Sequence, residues 1–391
     1  MKPRTRLNHP PQAELPEDNK ALVGPIYQSV KFEVEGVEAT SAVLRGARPG
    51  FTYTRSSNPT TRSLELTLAE LQGRPDAIAV GSGMAAVACT LVALLKAGDH
   101  VLCFAETYPP TRRLIRDLLN RYGVTHSMLS IEDGDGVERA LAARPTRVVW
   151  FESPTNPLLK IADIERLVDA AHRHGALAVL DNTFAGPANH GDYAIDLYVH
   201  SLTKVASGHG DVMAGAVIGA NDLIDRVRAD ALILGPVLDP HAAFLVQRGL
   251  KTYPLRRAAQ CASAARVAEF LARQPGVARV HYPGLAEHPG HALAKRQMND
   301  FGSVVTVDLK GNAEQARAFV DALELFALAA SLGSTESLVQ APPFLAGGTL
   351  SAEERRWTGI GPTTTRLSIG IEDPDDLLAD LARGLAAAAA A

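Results

Sequence analysis

Ala77-Ile78-Ala79-Val80-Gly81-Ser82-Gly83-Met84 decides the architecture, because four strand-forming apolar residues run into a Gly-Ser-Gly turn that opens a helical pattern over residues 84–96. Residues 77–95 carry no charge and are nominally long enough to cross a bilayer. The turn divides them instead into a buried strand and a helix. The same rhythm continues downstream: residues 101–105 read as a strand, Pro109-Pro110 open a helix, residues 147–152 form a strand, and a helix from Asp163 is closed by Gly175. Strands over residues 177–181 and 197–201 follow. Such alternation predicts an α/β fold with a mostly parallel sheet, covered on both faces, in a large domain spanning residues 61–250.

The rhythm changes after Arg248-Gly249-Leu250-Lys251-Thr252. A long Ala- and Arg-rich helix over residues 255–273 and a mixture of strands and helices then predict a smaller C-terminal α+β domain, residues 251–391. Residues 1–60 are rich in Pro, Gly and polar side chains with little periodicity, so they read as an extended N-terminal arm that needs another surface to order it. The alanine tract 386–391 reads as a frayed helix end.

At 391 residues the chain is long enough for two packed regions. With 46% hydrophobic and 21% charged residues and a net charge of −4, it has no electrostatic footprint for nucleic acid or an anionic membrane. Cys89, Cys103 and Cys261 lack metal-ligand spacing and leave an odd thiol if two pair, which predicts no metal site and a reducing cytoplasm. The basic start Met1-Lys2-Pro3-Arg4-Thr5-Arg6 is followed by Asn, His, Pro and acids rather than an apolar core, so no secretory signal is expected there.

Ligands of such sheets bind beyond the carboxyl ends of the strands. Asp181 ends the run Ala178-Val179-Leu180, and Lys204 follows His200-Ser201-Leu202-Thr203 at the end of the next strand. A lysine after Ser-Leu-Thr is, alone, an ordinary solvated residue. Paired with a strand-end acid and a Gly-Ser-Gly turn before a helix, it matches the needs of pyridoxal 5'-phosphate: an amine for the aldehyde, an acid for the pyridine nitrogen, and donors for the phosphate. Backbone N–H groups at a helix start bind anions, so Gly81-Ser82-Gly83-Met84 is the natural phosphate cup, with Ser201 and Thr203 hydroxyls nearby.

A wider set of motifs carries a family resemblance. Tyr53-Thr54-Arg55-Ser56-Ser57-Asn58-Pro59-Thr60, Ser82-Gly83-Met84, Tyr108, Glu152-Ser153-Pro154-Thr155-Asn156-Pro157, Asp181-Asn182-Thr183, Ser201-Leu202-Thr203-Lys204, Arg248-Gly249-Leu250-Lys251-Thr252, Ser331-Leu332-Gly333, Glu336-Ser337-Leu338 and Arg366-Leu367-Ser368-Ile369-Gly370 occur in this order. Together they resemble the Cys/Met-metabolism family of pyridoxal phosphate enzymes, which includes the cystathionine lyases and synthases. The resemblance implies fold-type I and a homotetramer of two active dimers with sites shared across each dimer. It implies that Lys204 forms the Schiff base and Asp181 partners the pyridinium. Gly83, Met84, Ser201 and Thr203 would contact the phosphate, with Tyr53 and Arg55 supplied by the neighbouring subunit. Tyr108 would stack on the ring and assist proton transfer. Arg366, helped by Asn156 and the backbone near Ser331, would bind the α-carboxylate of an amino-acid substrate, a bidentate pairing that fixes the Cα–H toward the base.

Family members acting at Cγ commonly carry an acid before Tyr-x-Arg, and γ-lyases a Glu before Ser-Leu-Gly; here Thr52 and Ala330 stand instead. Pro110 replaces the cysteine typical of methionine γ-lyases, and Leu332 and Ser56 replace the Trp and Arg typical of bacterial cystathionine β-lyases. The expected activity is a carbon–sulfur lyase on cystathionine or a related sulfur amino acid, releasing thiol, ammonia and a keto acid. The alternative is γ-replacement on an activated homoserine. A pyridoxal phosphate-binding protein with little catalysis predicts loss of Tyr108 or Arg366, and both are present.

Overall fold

The structure is a computed structural model describing residues 18–341 and 351–391, with residues 2, 5, 6 and 16. Most of the basic start and the first part of the expected arm therefore lie outside the described residues. Strands β1 (Asp76–Val80), β2 (His100–Phe104), β3 (Thr125–Leu129), β4 (Val148–Glu152), β5 (Leu177–Asp181), β6 (Leu197–Ser201) and β7 (Gly215–Gly219) form one sheet in the order β1-β7-β6-β5-β4-β2-β3. β2, β3, β4, β5 and β6 pair in parallel; β7 alone runs antiparallel to both neighbours, β1 and β6. The five expected strands are all present, each to within a residue. β3 and β7 are additions.

The period-two alternation of the strands divides the core between the two faces of the sheet. Leu102, Phe104, Val149, Phe151 and Leu180 pack on one face, and Val101, Cys103, Val148, Trp150 and Val179 on the other. Buried on both sides, these strands read as continuous apolar runs, as a parallel sheet requires. Helix Gly83–Leu94 starts at Ser82, whose side chain accepts from Ala85 N at 3.1 Å, and helix Ile164–Arg173 is capped by Asp163. Among the described residues no helix is long and apolar enough to cross a membrane.

A second sheet holds β8 (Val277–His281), β9 (Val304–Leu309), β10 (Ala327–Leu328), β11 (Leu338–Gln340) and β12 (Thr364–Ser368), in the order β10-β11-β12-β9-β8. Helices Tyr253–Ala272 and Pro374–Ala390 cover it around Val267, Leu271, Phe319 and Leu381. The alanine tract is not a frayed end. It is helical through Ala390, Ala388 is buried, and the Ala388 carbonyl accepts from Gln315 Nε2 at 3.2 Å. Low side-chain entropy and high helix propensity let alanine continue a helix once one face is packed.

The described part of the first sixty residues is not uniformly extended, since Val37–Leu44 is a helix. The segment leaves Leu22, Val23, Tyr27, Val30, Val37 and Leu44 exposed.

Candidate active site

Because β1, β4, β5 and β6 share a direction, their carboxyl ends meet at one edge of the sheet, where a cavity of about 450 Å³ opens. Lys204 lies just past β6, and its Nζ donates to Ser331 Oγ at 2.7 Å. Burial, reinforced by the charge of Arg366, lowers the Lys204 ammonium to about 8. Arg366, in β12, reaches the same space from the second sheet. Its Nη1 donates to Asn156 Oδ1 at 2.8 Å and its Nη2 to Ser331 O at 2.6 Å. Only 4% of Arg366 is exposed, its Nε has no partner, and burial lowers it to about 10. A buried guanidinium with spare donors and no carboxylate is a binding site for an anion.

Ser331 binds both cations, one through its hydroxyl and one through its carbonyl. It holds a φ of 106°, a region that side-chain-bearing residues rarely occupy. The backbone is kept there by these two bonds and by Gly333, whose N–H donates to Ser368 Oγ at 2.9 Å.

Asp181 at the end of β5 sits in register with Glu152 at the end of β4, so two carboxyls share one face. Asp181 accepts from Thr183 N at 3.1 Å and Thr183 Oγ1 at 2.6 Å, while Glu152 accepts from Tyr108 N at 2.6 Å. Burial raises the Asp181 carboxyl against the Thr183 bonds that lower it. Burial first, then the Asp181 charge, raises Glu152 well above the usual carboxylate range. A buried Glu152 beside a half-buried Asp181 calls for a proton or a cationic ligand.

Gly83 opens its helix directly against Ser201: a Cβ at Gly83 would meet Ser201 Cβ at 2.7 Å. Gly83, Met84, Ser201, Thr203 and Tyr108 all line the cavity. The Thr203 hydroxyl is already engaged, accepting from Ala214 N at 3.0 Å and donating to Ala214 O at 3.3 Å. Burial, then Glu152, raises the Tyr108 phenol, which therefore stays protonated at neutral pH. An amine, a raised carboxyl and a glycine-walled helix start in one cavity fit pyridoxal phosphate.

Tyr53 and Arg55 are not brought to this cavity. They lie on the surface, with Arg55 Cζ 5.6 Å from the Tyr53 ring centroid and Arg55 Nη1 donating to Leu232 O at 3.1 Å. Glu152 and Thr183 belong to motifs visible in the sequence but received no role there. The signal for Glu152 was available, since it ends a strand with an acid as Asp181 does. Phe184, whose ring centre lies 5.9 Å from Arg366 Cζ, carried no sequence signal.

A family profile described as Cys/Met metabolism PLP-dependent enzyme matches residues 5–386. The chain is 43% identical to L-methionine gamma-lyase of Pseudomonas putida over 96% of its own length and 95% of that protein's. It is 38% identical to cystathionine gamma-lyase of Dictyostelium discoideum, covering 93% of each. Among solved structures, cystathionine gamma synthase of Xanthomonas oryzae pv. oryzae in complex with cystathionine superimposes with a TM-score of 0.89, at 38% identity, over 95% of this chain and 94% of that one.

Proposed function

The chain belongs to the Cys/Met-metabolism family of pyridoxal phosphate-dependent enzymes, and we propose that it is a carbon–sulfur lyase acting on cystathionine or a related sulfur amino acid, releasing thiol, ammonia and a keto acid. The observation that carries this reading is the bonded series Asn156–Arg366–Ser331–Lys204. It sets an anion-binding guanidinium beside an amine poised near neutrality.

In this reading the α-carboxylate of the substrate takes the place of protein acceptors on Arg366. The Cα–H then faces Lys204 Nζ, which removes the proton once deprotonated. The bound pyridoxal phosphate supplies the ring that accepts the electrons left on Cα. Asp181 would keep the pyridine nitrogen charged, Ser201 and the helix start at Gly83 and Met84 would hold the phosphate, joined by the Thr203 hydroxyl once it turns from Ala214 O, and Tyr108 would lie against the ring. A protonated Tyr108 is suited to give its proton to the departing sulfur. Glu152 and Asp181 are the acids of the cavity lining, and Met213, Ala330, Leu332 and Ile360 add apolar surface to it, which suits an apolar thioether end.

The exposed apolar side chains between Leu22 and Leu44 support a homotetramer in which Tyr53 and Arg55 complete the site of a neighbouring subunit. Residues 61–250 would then be the cofactor-binding domain and residues 251–391 the C-terminal domain. Three unpaired thiols suit a cytoplasmic location.

The test is turnover of L-cystathionine and L-methionine by the holoenzyme. Pyruvate with homocysteine reports β-elimination, and 2-oxobutyrate with cysteine or methanethiol reports γ-elimination. The likeness to a cystathionine gamma synthase favours a second reading, γ-replacement on an activated homoserine. Keto acid formed from neither thioether, together with cystathionine formed from an activated homoserine and cysteine, would replace the first reading by the second.

A further inference from the structure

The chain that walls the catalytic cavity also walls a second one. Asn156, Pro157, Thr358 and Ile360 line the catalytic cavity. Their chain neighbours Leu158, Lys160, Trp357 and Gly359 line a separate cavity of about 460 Å³. Lys160 Nζ donates to Trp357 O at 2.6 Å and ties the two wall segments together. A ligand that moves Leu158 or Trp357 therefore acts on segments that carry Asn156, the partner of Arg366, and Thr358.

The lining defines the ligand. Ile131, Leu158 and Ile161 are buried and form an apolar floor. The acids there are already committed: Asp308 to His281 at 2.7 Å and Thr364 at 2.5 Å, Glu132 to Lys160 at 2.6 Å, and Asp163 to its helix start. Arg166 is paired with Asp135 at 2.5 Å. Arg279 stands across the strand pair from Asp308, whose carboxyl its charge helps to lower, Arg356 has no ion-pair partner among the described residues, and the half-buried indole of Trp357 lies beside Arg356 in the chain. Cations outnumber acids in this lining, Lys160, Arg166, Arg279 and Arg356 against Glu132, Asp163 and Asp308, beside buried apolar side chains.

We infer that this cavity is a second small-molecule site, for a carboxylate with an aliphatic body, and that its occupation changes turnover at the neighbouring site. Arg279 and Arg356 take the carboxylate, and Ile131, Leu158 and Ile161 take the chain. Only the effect on turnover rests on the proposed catalytic reading; binding is measured separately.

Trp357 is the natural reporter, because the chain has two tryptophans and Trp150 is fully buried in the large sheet. The holoenzyme is titrated with octanoate, octan-1-ol and inorganic phosphate while tryptophan emission is followed. Octanoate is expected to change the emission saturably, with octanol and phosphate at least about tenfold weaker, and an R279Q/R356Q double variant to bind octanoate at least about tenfold more weakly. Saturating octanoate should alter kcat in the wild type and not in the double variant. No saturable change, equal binding by octanol, or equal binding by the double variant overturns the site. An effect on KM alone, identical in both proteins, would mean that octanoate binds Arg366 instead.

Discussion

Lys204, Asp181 and Arg366 meet around one cavity although they come from two sheets, whereas Tyr53 and Arg55, part of the same family pattern, lie on the surface 46% exposed in the case of Tyr53. Asp181 ends β5, Lys204 follows β6 and Arg366 lies in the middle of β12, and these strands are packed in apolar clusters of the chain. Their positions follow from the packing of a single chain. The second group stands in a segment whose own apolar side chains remain uncovered, the observation behind its proposed place at a neighbouring subunit's site. Under the proposed shared site, the contrast separates residues that a subunit organises alone from residues it lends.

The largest expected effect breaks the first group. Lys204→Ala should lower kcat by at least about 10⁴-fold, the upper range for loss of a positioned base, with little change in melting temperature. Retained turnover would remove Lys204 from its role. Arg366→Leu should cost roughly 2–5 kcal/mol in kcat/KM for the amino acid, as expected when one partner of a buried charged pair is truncated. A change confined to thermal stability would make Arg366 structural.

The next prediction tests the lent group. Arg55→Ala should by itself lower activity by about 10- to 100-fold through loss of charge-assisted bonds. Mixing it with the Lys204→Ala protein under subunit exchange should restore roughly a quarter of wild-type sites, since half the dimers are mixed and each has one intact site. Exchange without recovery would mean that Arg55 serves its own subunit.

The smallest effect concerns protonation. Lys204 has its value lowered, so its ammonium loses its proton as pH rises through about 8. Modification of Lys204 in cofactor-free protein by an amine-reactive reagent should rise through that pH. Arg366→Gln removes a like charge and should move the midpoint upward. An unmoved midpoint would leave burial as the whole cause.

Strands β4, β5 and β6 were legible because a strand buried on both faces is a continuous apolar run ending in polar residues. β3 was not, since Thr125-His126-Ser127 is polar and the strand lies at the sheet edge with little burial. β7, Gly-Ala-Val-Ile-Gly, is short and glycine-flanked, and reads equally as a turn. Asp181 and Lys204 were visible as polar ends of apolar runs. Glu152 had the same signal, but its raised carboxyl depends on register with Asp181, and register is a property of the folded sheet.

The sequence by itself determined the alternation of strands and helices, the glycine turn before the first sheet-covering helix, and the residue types at the strand ends. These follow from local periodicity and from backbone rules that act over a few residues. Only the tertiary structure decided that Arg366 reaches across from a second sheet to Asn156 and Ser331, that Ser331 also binds Lys204, and that Leu158 and Trp357 back onto a second cavity. Those contacts join residues far apart in the chain, and the way the two sheet regions meet, which no local pattern encodes, sets their distances.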